Sequence, residues 1–316
     1  MVIPSFSISK IPVFGKVLLA PMDGYTDLPF RLLCRQQGSS LSFSEFINGI
    51  DVKNGHPHFR TKLLFSENER PFAYQIFDDD PERLVYAALE LQKMGPDFID
   101  VNMGCSARNV SNRGAGAGLL KEPKKIAYII DRLVQTLDIP ITAKIRLGWD
   151  DNSKNYLDIS RIIEENGASA ISIHARTRKQ EYSGLADWNA IGEVKQIVHI
   201  PVIGNGDITS YAEALSRLTT YGVDAVMIGR AAIGNPWIFN PLLNYPSNNY
   251  KYSLIKSHIR LMVEHYGEVI GIRIFRKHLT RYLSQFLVTS EIRKQIFSIT
   301  QENELLLKIA QLMRLE

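Results

Sequence analysis

Short apolar runs alternate along most of the chain with stretches of helical spacing. The runs at Val17–Ala20, Ser42–Phe46, Phe72–Phe77, Phe98–Asn102, Ile141–Leu147, Ala170–Arg176, Val202–Asn205 and Ala225–Gly229 predict eight strands. Several are continuous in Val, Ile, Ala and Phe rather than alternating, as parallel strands buried on both faces should be. Helical spacing fills Pro81–Met94, Pro123–Leu137 and Tyr156–Asn166. Pro81 and Pro123 stand in first turns, where a missing N–H costs nothing. Eight strands with intervening crossovers in about 240 residues predict an α/β fold, a (β/α)8 TIM barrel. A doubly wound sheet would more often open with Gly-x-Gly-x-x-Gly after its first strand. Here that strand runs into Ala20-Pro21-Met22-Asp23-Gly24-Tyr25-Thr26-Asp27.

After Trp237 the pattern changes. Asn244–Tyr250 is rich in turn formers and reads as a linker. Beyond it only helical periodicity remains, in Leu254–Tyr266, Ile270–Gln285 and Glu304–Leu315. The expected organisation is a barrel over residues 1–243 and a smaller C-terminal all-helical domain over residues 244–316.

Charge sharpens that division. Residues Ser247 to Glu316 hold 11 Lys and Arg against 6 Asp and Glu, whereas the rest of the chain is nearly balanced. The excess suits a polyanion partner, or equally a solvated helical face. Two cysteines cannot make a disulfide framework, so a reducing cytoplasmic setting is expected. No signal peptide is evident at the start. No apolar run approaches the roughly 20 residues that span a bilayer.

In such a barrel, reactive groups sit at the C-terminal strand ends. Here those ends carry Pro21-Met22-Asp23, Glu45, Gln75, Asn102 with Cys105, Lys144 with Arg146, His174 with Arg176, Asn205-Gly206-Asp207 and Gly229-Arg230. A scaffold would not need so polar a ring. Cys105 is either a buried small hydrophobe or a reacting group. Lys144 suits a Schiff base or a fixed cation beside an electron-rich ring, and His174 could be a satisfied core histidine. The loops Asn205-Gly206-Asp207 and Gly229-Arg230 have the composition of a phosphate site, or of two tight turns. His56-Pro57-His58 lacks neighbouring cysteine or acidic ligands, and no metal site is expected.

Together, Ala20–Asp27, Asn102-Met103-Gly104-Cys105, Lys144–Trp149, Ile173–Arg178, Asn205–Ile208, Met227–Ala232 with Asn235-Pro236-Trp237, and Arg276–Leu279 resemble the tRNA-dihydrouridine synthase family, most closely its bacterial DusB-type branch. The resemblance covers nearly the whole chain. It implies an FMN- and NADPH-dependent oxidoreductase that reduces the C5–C6 double bond of uridines in the tRNA D-loop. Pro21, Met22 and Asp23 would lie along the isoalloxazine, with Gln75, Lys144 and His174 bonding or charge-stabilising it. Asn205, Gly206, Asp207, Gly229 and Arg230 would hold the phosphate end. Cys105 would be the proton donor to C5, with Asn102 and Arg178 on the substrate. tRNA is the implied partner, with neither a membrane nor an obligate protein partner evident. Arg273, Arg276, Lys277 and Arg281 would form a phosphate-binding stripe on one helix.

Two positions depart from the family pattern, Ser106 where proline is commoner and Asp23 where alanine is. The alternatives are an FMN-dependent small-molecule oxidoreductase of the dihydroorotate dehydrogenase kind, a Schiff-base aldolase, and a catalytically inactive RNA-binding barrel.

Overall fold

The computed structural model describes residues 3–56, 59–243, 245–286 and 288–315. Eleven strands occur among them. They are β1 (Phe6–Ile8), β2 (Ile11–Val13), β3 (Val17–Leu19), β4 (Ser42–Phe43), β5 (Ile47–Asn48), β6 (Phe72–Phe77), β7 (Phe98–Met103), β8 (Ile141–Arg146), β9 (Ala170–His174), β10 (Val202–Asn205) and β11 (Ala225–Ile228). Eight of these form a parallel sheet in the order β3-β11-β10-β9-β8-β7-β6-β4, with β5 as an extra partner of β6. The seam between β4 and β3 is bridged by Ser40, whose N and Oγ both donate to Val17 O (3.0 and 3.1 Å). The expected TIM barrel is therefore present.

Continuous apolar strands are buried because helices cover the outside and side chains fill the inside. The helices Pro81–Gln92 and Pro123–Thr136 each place their proline in the first turn, as the spacing predicted. The antiparallel hairpin β1–β2, which the pattern did not reveal, puts Ile8 and Val13 against Leu18, Phe43, Ala73, Phe98, Ala170, Ile203, Ala225 and Met227. That plug dries the lower barrel and leaves the C-terminal mouth as the polar end.

The expected strand at Ser42–Phe46 is split into β4 and β5. Ser44 N still donates to Ala73 O (2.9 Å), but the next bond to β6 is made by its side chain, Oγ accepting Gln75 N (2.9 Å), while Glu45 accepts Gly24 N (2.6 Å). The linker expectation also shifts. Ser247 is the N-cap of the helix Asn248–Tyr266, accepting Tyr250 N at 3.3 Å, so part of the turn-rich stretch caps a helix. Asn244 lies outside the described residues. The helices Glu268–Tyr282, Ser290–Ser298 and Glu302–Leu312 complete a C-terminal bundle.

This bundle has its own apolar cluster, including Ile255, Ile259, Met262, Phe275, Leu279 and Ile309, and the cluster also takes in Leu33 and Trp237. Leu33 belongs to the helix Leu28–Gln36 that follows β3. The bundle is thus seated beside that strand's end of the mouth. No described helix is long and apolar enough to cross a membrane.

Candidate active site

A chain of side-chain bonds descends from Cys105 into the barrel. Asn102 Oδ1 accepts Cys105 N (2.8 Å) and Gly104 N (3.0 Å), and Asn102 Nδ2 donates to Gln75 Oε1 (2.8 Å). Gln75 Nε2 then donates to Asp100 Oδ2 (2.6 Å), whose other oxygen accepts Thr142 Oγ1 (2.5 Å). Asp100 and Asn102 are two apart on β7, so both face the interior. Burial pushes the Asp100 carboxyl up to about 6, against the pull of Thr142, Gln75 and Lys144. It is therefore ionised at neutral pH, and both amides are locked in one orientation by a charge-assisted bond.

From the other side, Arg146 Nε donates to Gly104 O (2.8 Å) and its Nη1 to Thr177 O and Glu181 O (2.9 Å each). The loop carrying the thiol is held from both flanks. Ala117 N closes it by donating to Cys105 O (3.1 Å). At Gly116, φ is +53° and an added Cβ would come 2.9 Å from Cys105 Cβ, so only glycine lets this turn pack there. Cys105 is partly exposed, whereas Cys34 is fully buried. Burial pushes the Cys105 thiol up, with the Asp23 charge adding to it, and Ala107 N–H, Arg146 and Lys144 offset only part of this. The thiol is protonated at neutral pH.

Lys144 is buried, and its single hydrogen bond among the described residues goes to Asn205 Oδ1 at 3.3 Å. Burial first, then Arg146, pushes its ammonium down to about 8, with Asp100 and Cys105 pulling the other way. His174, pushed well below the usual imidazole range by burial and by Arg146, Lys144, Arg176 and Arg230, is neutral. A cation this poorly solvated is poised for an electron-rich or anionic partner.

Across the mouth, Asp207 is taken by the protein. Its carboxylate accepts Arg176 Nη2 (2.5 Å), Ala186 N (2.9 Å) and Arg230 Nη2 (3.3 Å), and these interactions hold it below the usual carboxylate range despite burial. No acceptor among the described residues takes the N–H groups of Gly206, Asp207, Gly229 or Arg230. Arg176 Nη1 is buried without a hydrogen-bond partner there. Gly206 sits at φ +144°, and a Cβ on it would lie 2.7 Å from Ala186 Cβ.

Pro21, Met22 and Asp23 begin the loop after β3. Thr26 Oγ1 accepts Met22 N and donates back to Met22 O (3.0 Å each). Asp23 is drawn to the rim by Lys62 Nζ (2.6 Å).

A dihydrouridine synthase family model matches residues 18–314. The chain belongs to that family. tRNA-dihydrouridine synthase B of Pseudomonas aeruginosa is 38% identical over 291 residues, covering 89% of this chain and 87% of that protein. The protein of the same name from Pasteurella multocida is 36% identical over 304 residues, covering 93% and 92%. Among solved structures, the 2-naphthoyl-CoA reductase complex with 2-naphthoyl-CoA has a TM-score of 0.61 at 10% identity, over 74% of this chain and 50% of that one. Histamine dehydrogenase from Rhizobium sp. 4-9 gives 0.58 at 12%, over 81% and 50%. These two share the fold.

For this family member, the structure brings Gln75, Asn102, Cys105, Lys144, His174, Asn205, Gly206, Asp207, Gly229 and Arg230 to one mouth. Arg178 lies on its rim, its Nε donating to Ser111 Oγ (3.0 Å). Sequence reasoning gave no role to Asp100, Thr142, Arg146 or Arg176. Asp100 was readable as a second polar residue on Asn102's face of an apolar strand. The other roles needed the bond partners. Of the proposed stripe, Arg273 and Arg281 are exposed, but Arg276 Nη2 donates to Ile299 O (3.4 Å) and Lys277 Nζ to Gly24 O. Pro57 and His58 lie outside the described residues.

Proposed function

We propose that this chain reduces the C5–C6 double bond of a D-loop uridine in tRNA, using FMN with NADPH as reductant. The observation that carries the reading is Cys105, held by its backbone at the end of β7 in the same mouth as the buried Lys144. Three features support a flavin in this mouth: the undersolvated Lys144, the free N–H groups after β10 and β11, and the unpartnered Arg176 Nη1. Gly206, Gly229 and Arg230 would hold a phosphate. Lys144 and neutral His174 would face the ring, with Pro21 and Met22 beneath it. Asp207 serves chiefly to orient Arg176 and Arg230. When bound, the reduced flavin supplies hydride to uracil C6.

The chain's own contribution is the rest. Cys105 holds the proton that C5 must receive, and its raised value keeps that proton in place until negative charge develops on the base. The Asn102–Gln75–Asp100 chain fixes the backbone that carries the thiol. The remaining Asn102 N–H addresses the extruded base, whose unstacking costs roughly a few kcal/mol, and Arg178 meets the substrate from the rim. The basic C-terminal bundle supplies phosphate contacts and the cytoplasm supplies the substrate.

The direct test is mass-spectrometric detection of dihydrouridine in unmodified tRNA after incubation with the protein, FMN and NADPH. Absence of the product with flavin-loaded protein would overturn the reading.

A second expected result follows from Lys144. Only its ammonium form stabilises the negative charge of a reduced ring, so affinity for reduced FMN should weaken as the pH rises above about 8. Anaerobic titration of the apoprotein with reduced FMN measures this. Lys144→Met should lower affinity and remove the alkaline slope. An affinity that rises above pH 8 would contradict the assignment.

A further inference from the structure

A second cluster of cations stands on the lid side of the mouth. Trp149, in the loop after β8, has Lys121 Nζ 3.2 Å and Arg178 Cζ 4.7 Å from its ring centroid. Lys121 ends the 3-10 helix Gly116–Lys121, which follows the Cys105 loop. Arg178 follows β9 and reaches Ser111 Oγ and, at 3.4 Å, Asn112 Oδ1. The indole after β8 therefore gathers two charges, one from each neighbouring strand end, at one point on the rim.

Neither cation has a carboxylate within 4.0 Å among the described residues. The acids next to Trp149 and Lys121 in the chain are engaged elsewhere: Asp150 by Lys179 (2.8 Å) and Glu122 by Lys125 (3.7 Å). Two like charges beside one ring repel each other, and cation–aromatic attraction offsets only about 1 kcal/mol at such exposure. The arrangement is complete only with an anion against it.

The topology says which anion. Around the barrel, β8 lies four places from β3 in either direction. The C-terminal bundle is seated beside β3, where Lys277 Nζ meets Gly24 O, Tyr266 Oη donates to Asp27 Oδ2 (3.2 Å) and Tyr250 Oη to Gln37 Oε1 (2.9 Å). The Trp149 cluster is thus on the opposite wall, next to the β7 end that carries Cys105. We propose that Lys121 and Arg178, held by Trp149, bind backbone phosphates of the RNA strand beside the reacting nucleotide, so that the substrate is gripped from both walls of the mouth. The bundle alone would leave the strand free to pivot about one wall. A grip on the second wall fixes which nucleotide stands over the thiol.

This inference rests on the RNA-modifying reading, yet binding tests it without turnover. Unmodified tRNA affinity for the flavin-loaded protein would be measured against salt by filter binding, for wild type and for Lys121→Gln/Arg178→Gln. Flavin content and unfolding temperature would check that the variant is folded. Each lost single-strand phosphate contact lowers the salt slope by about 0.7, so the double variant should lose about 1.4 and bind roughly twenty-fold more weakly at 0.1 M salt. Lys121→Arg should keep both slope and affinity. An unchanged slope would overturn the proposal. So would a weakened grip on NADPH with RNA binding intact, which would make the cluster a dinucleotide phosphate site. If wild type shows the slope but makes no dihydrouridine, the catalytic reading fails and the RNA grip stands.

Discussion

Cys105→Ala should lower the rate of dihydrouridine formation by about 10²- to 10⁴-fold, the usual worth of a positioned general acid. Flavin content should stay at wild-type level, because no residue proposed to hold the flavin bonds through the Cys105 side chain. Flavin reduction by NADPH should also persist, since that step needs no proton at C5. Single-turnover kinetics with pre-reduced protein separate the two steps, with the product quantified by mass spectrometry. Cys105→Ser should recover little. A hydroxyl is a far weaker acid than a thiol, and charge developing at C5 would have to wait for solvent. The loop should keep its shape in both variants, since Asn102 Oδ1 and Ala117 N bind the Cys105 backbone and not its sulfur. Equal single-turnover rates in wild type and Cys105→Ala would remove Cys105 from the chemistry and return it to a packing role.

The largest stability effect is expected far from the thiol. Arg31 and Glu69 form an ion pair, Nε to Oε2 at 2.5 Å, with side chains 1% and 0% exposed. Arg31 Nη1 also donates to Thr26 O (2.8 Å) and Nη2 to Leu64 O (2.9 Å), while Glu69 Oε1 accepts Ser66 N (2.9 Å). Each guanidinium nitrogen and each carboxylate oxygen has a partner, and the pair is closed to water. Glu69→Ala would strand a guanidinium in an apolar site, so urea unfolding should show a loss of about 3–5 kcal/mol. The double variant Arg31→Met/Glu69→Leu should recover most of that, because it removes both charges and refills the volume. Arg31 lies on the helix Leu28–Gln36 that seats the bundle. Glu69→Ala should therefore also loosen the bundle, seen as faster amide exchange in Glu268–Tyr282. A loss under 1 kcal/mol would mean water reaches the pair.

The barrel was legible in the chain because its strands are short buried runs separated by helical spacing: β11 is apolar throughout, while β7, β8 and β9 alternate apolar residues with polar ones such as Asp100, Asn102, Thr142, Lys144, Ser172 and His174. The mouth was legible for a related reason. Polar residues such as Gln75, Asn102, Lys144 and His174 closing apolar runs have no structural reason to be there. Less was visible where a residue's meaning lies in its partner. β1 and β2 are three residues each, too short for periodicity, and only their pairing makes them the floor. Ser247–Tyr250 uses the same residue types to cap a helix as to make a linker, and packing against the barrel decided between them.

The sequence by itself therefore determined the fold class, the end of the barrel that carries chemistry and most of the side chains there. Those follow from local periodicity and from residue types that are costly to bury. Only the tertiary structure decided what each charge does. Asp207 is an orienting group for two arginines and Asp23 is paired outward to Lys62. Lys277 is turned onto the loop after β3, while Lys121 and Arg178 converge on Trp149 without an acid. Charge energies depend on distances between groups far apart in the chain, and no spacing rule along a single strand or helix contains them.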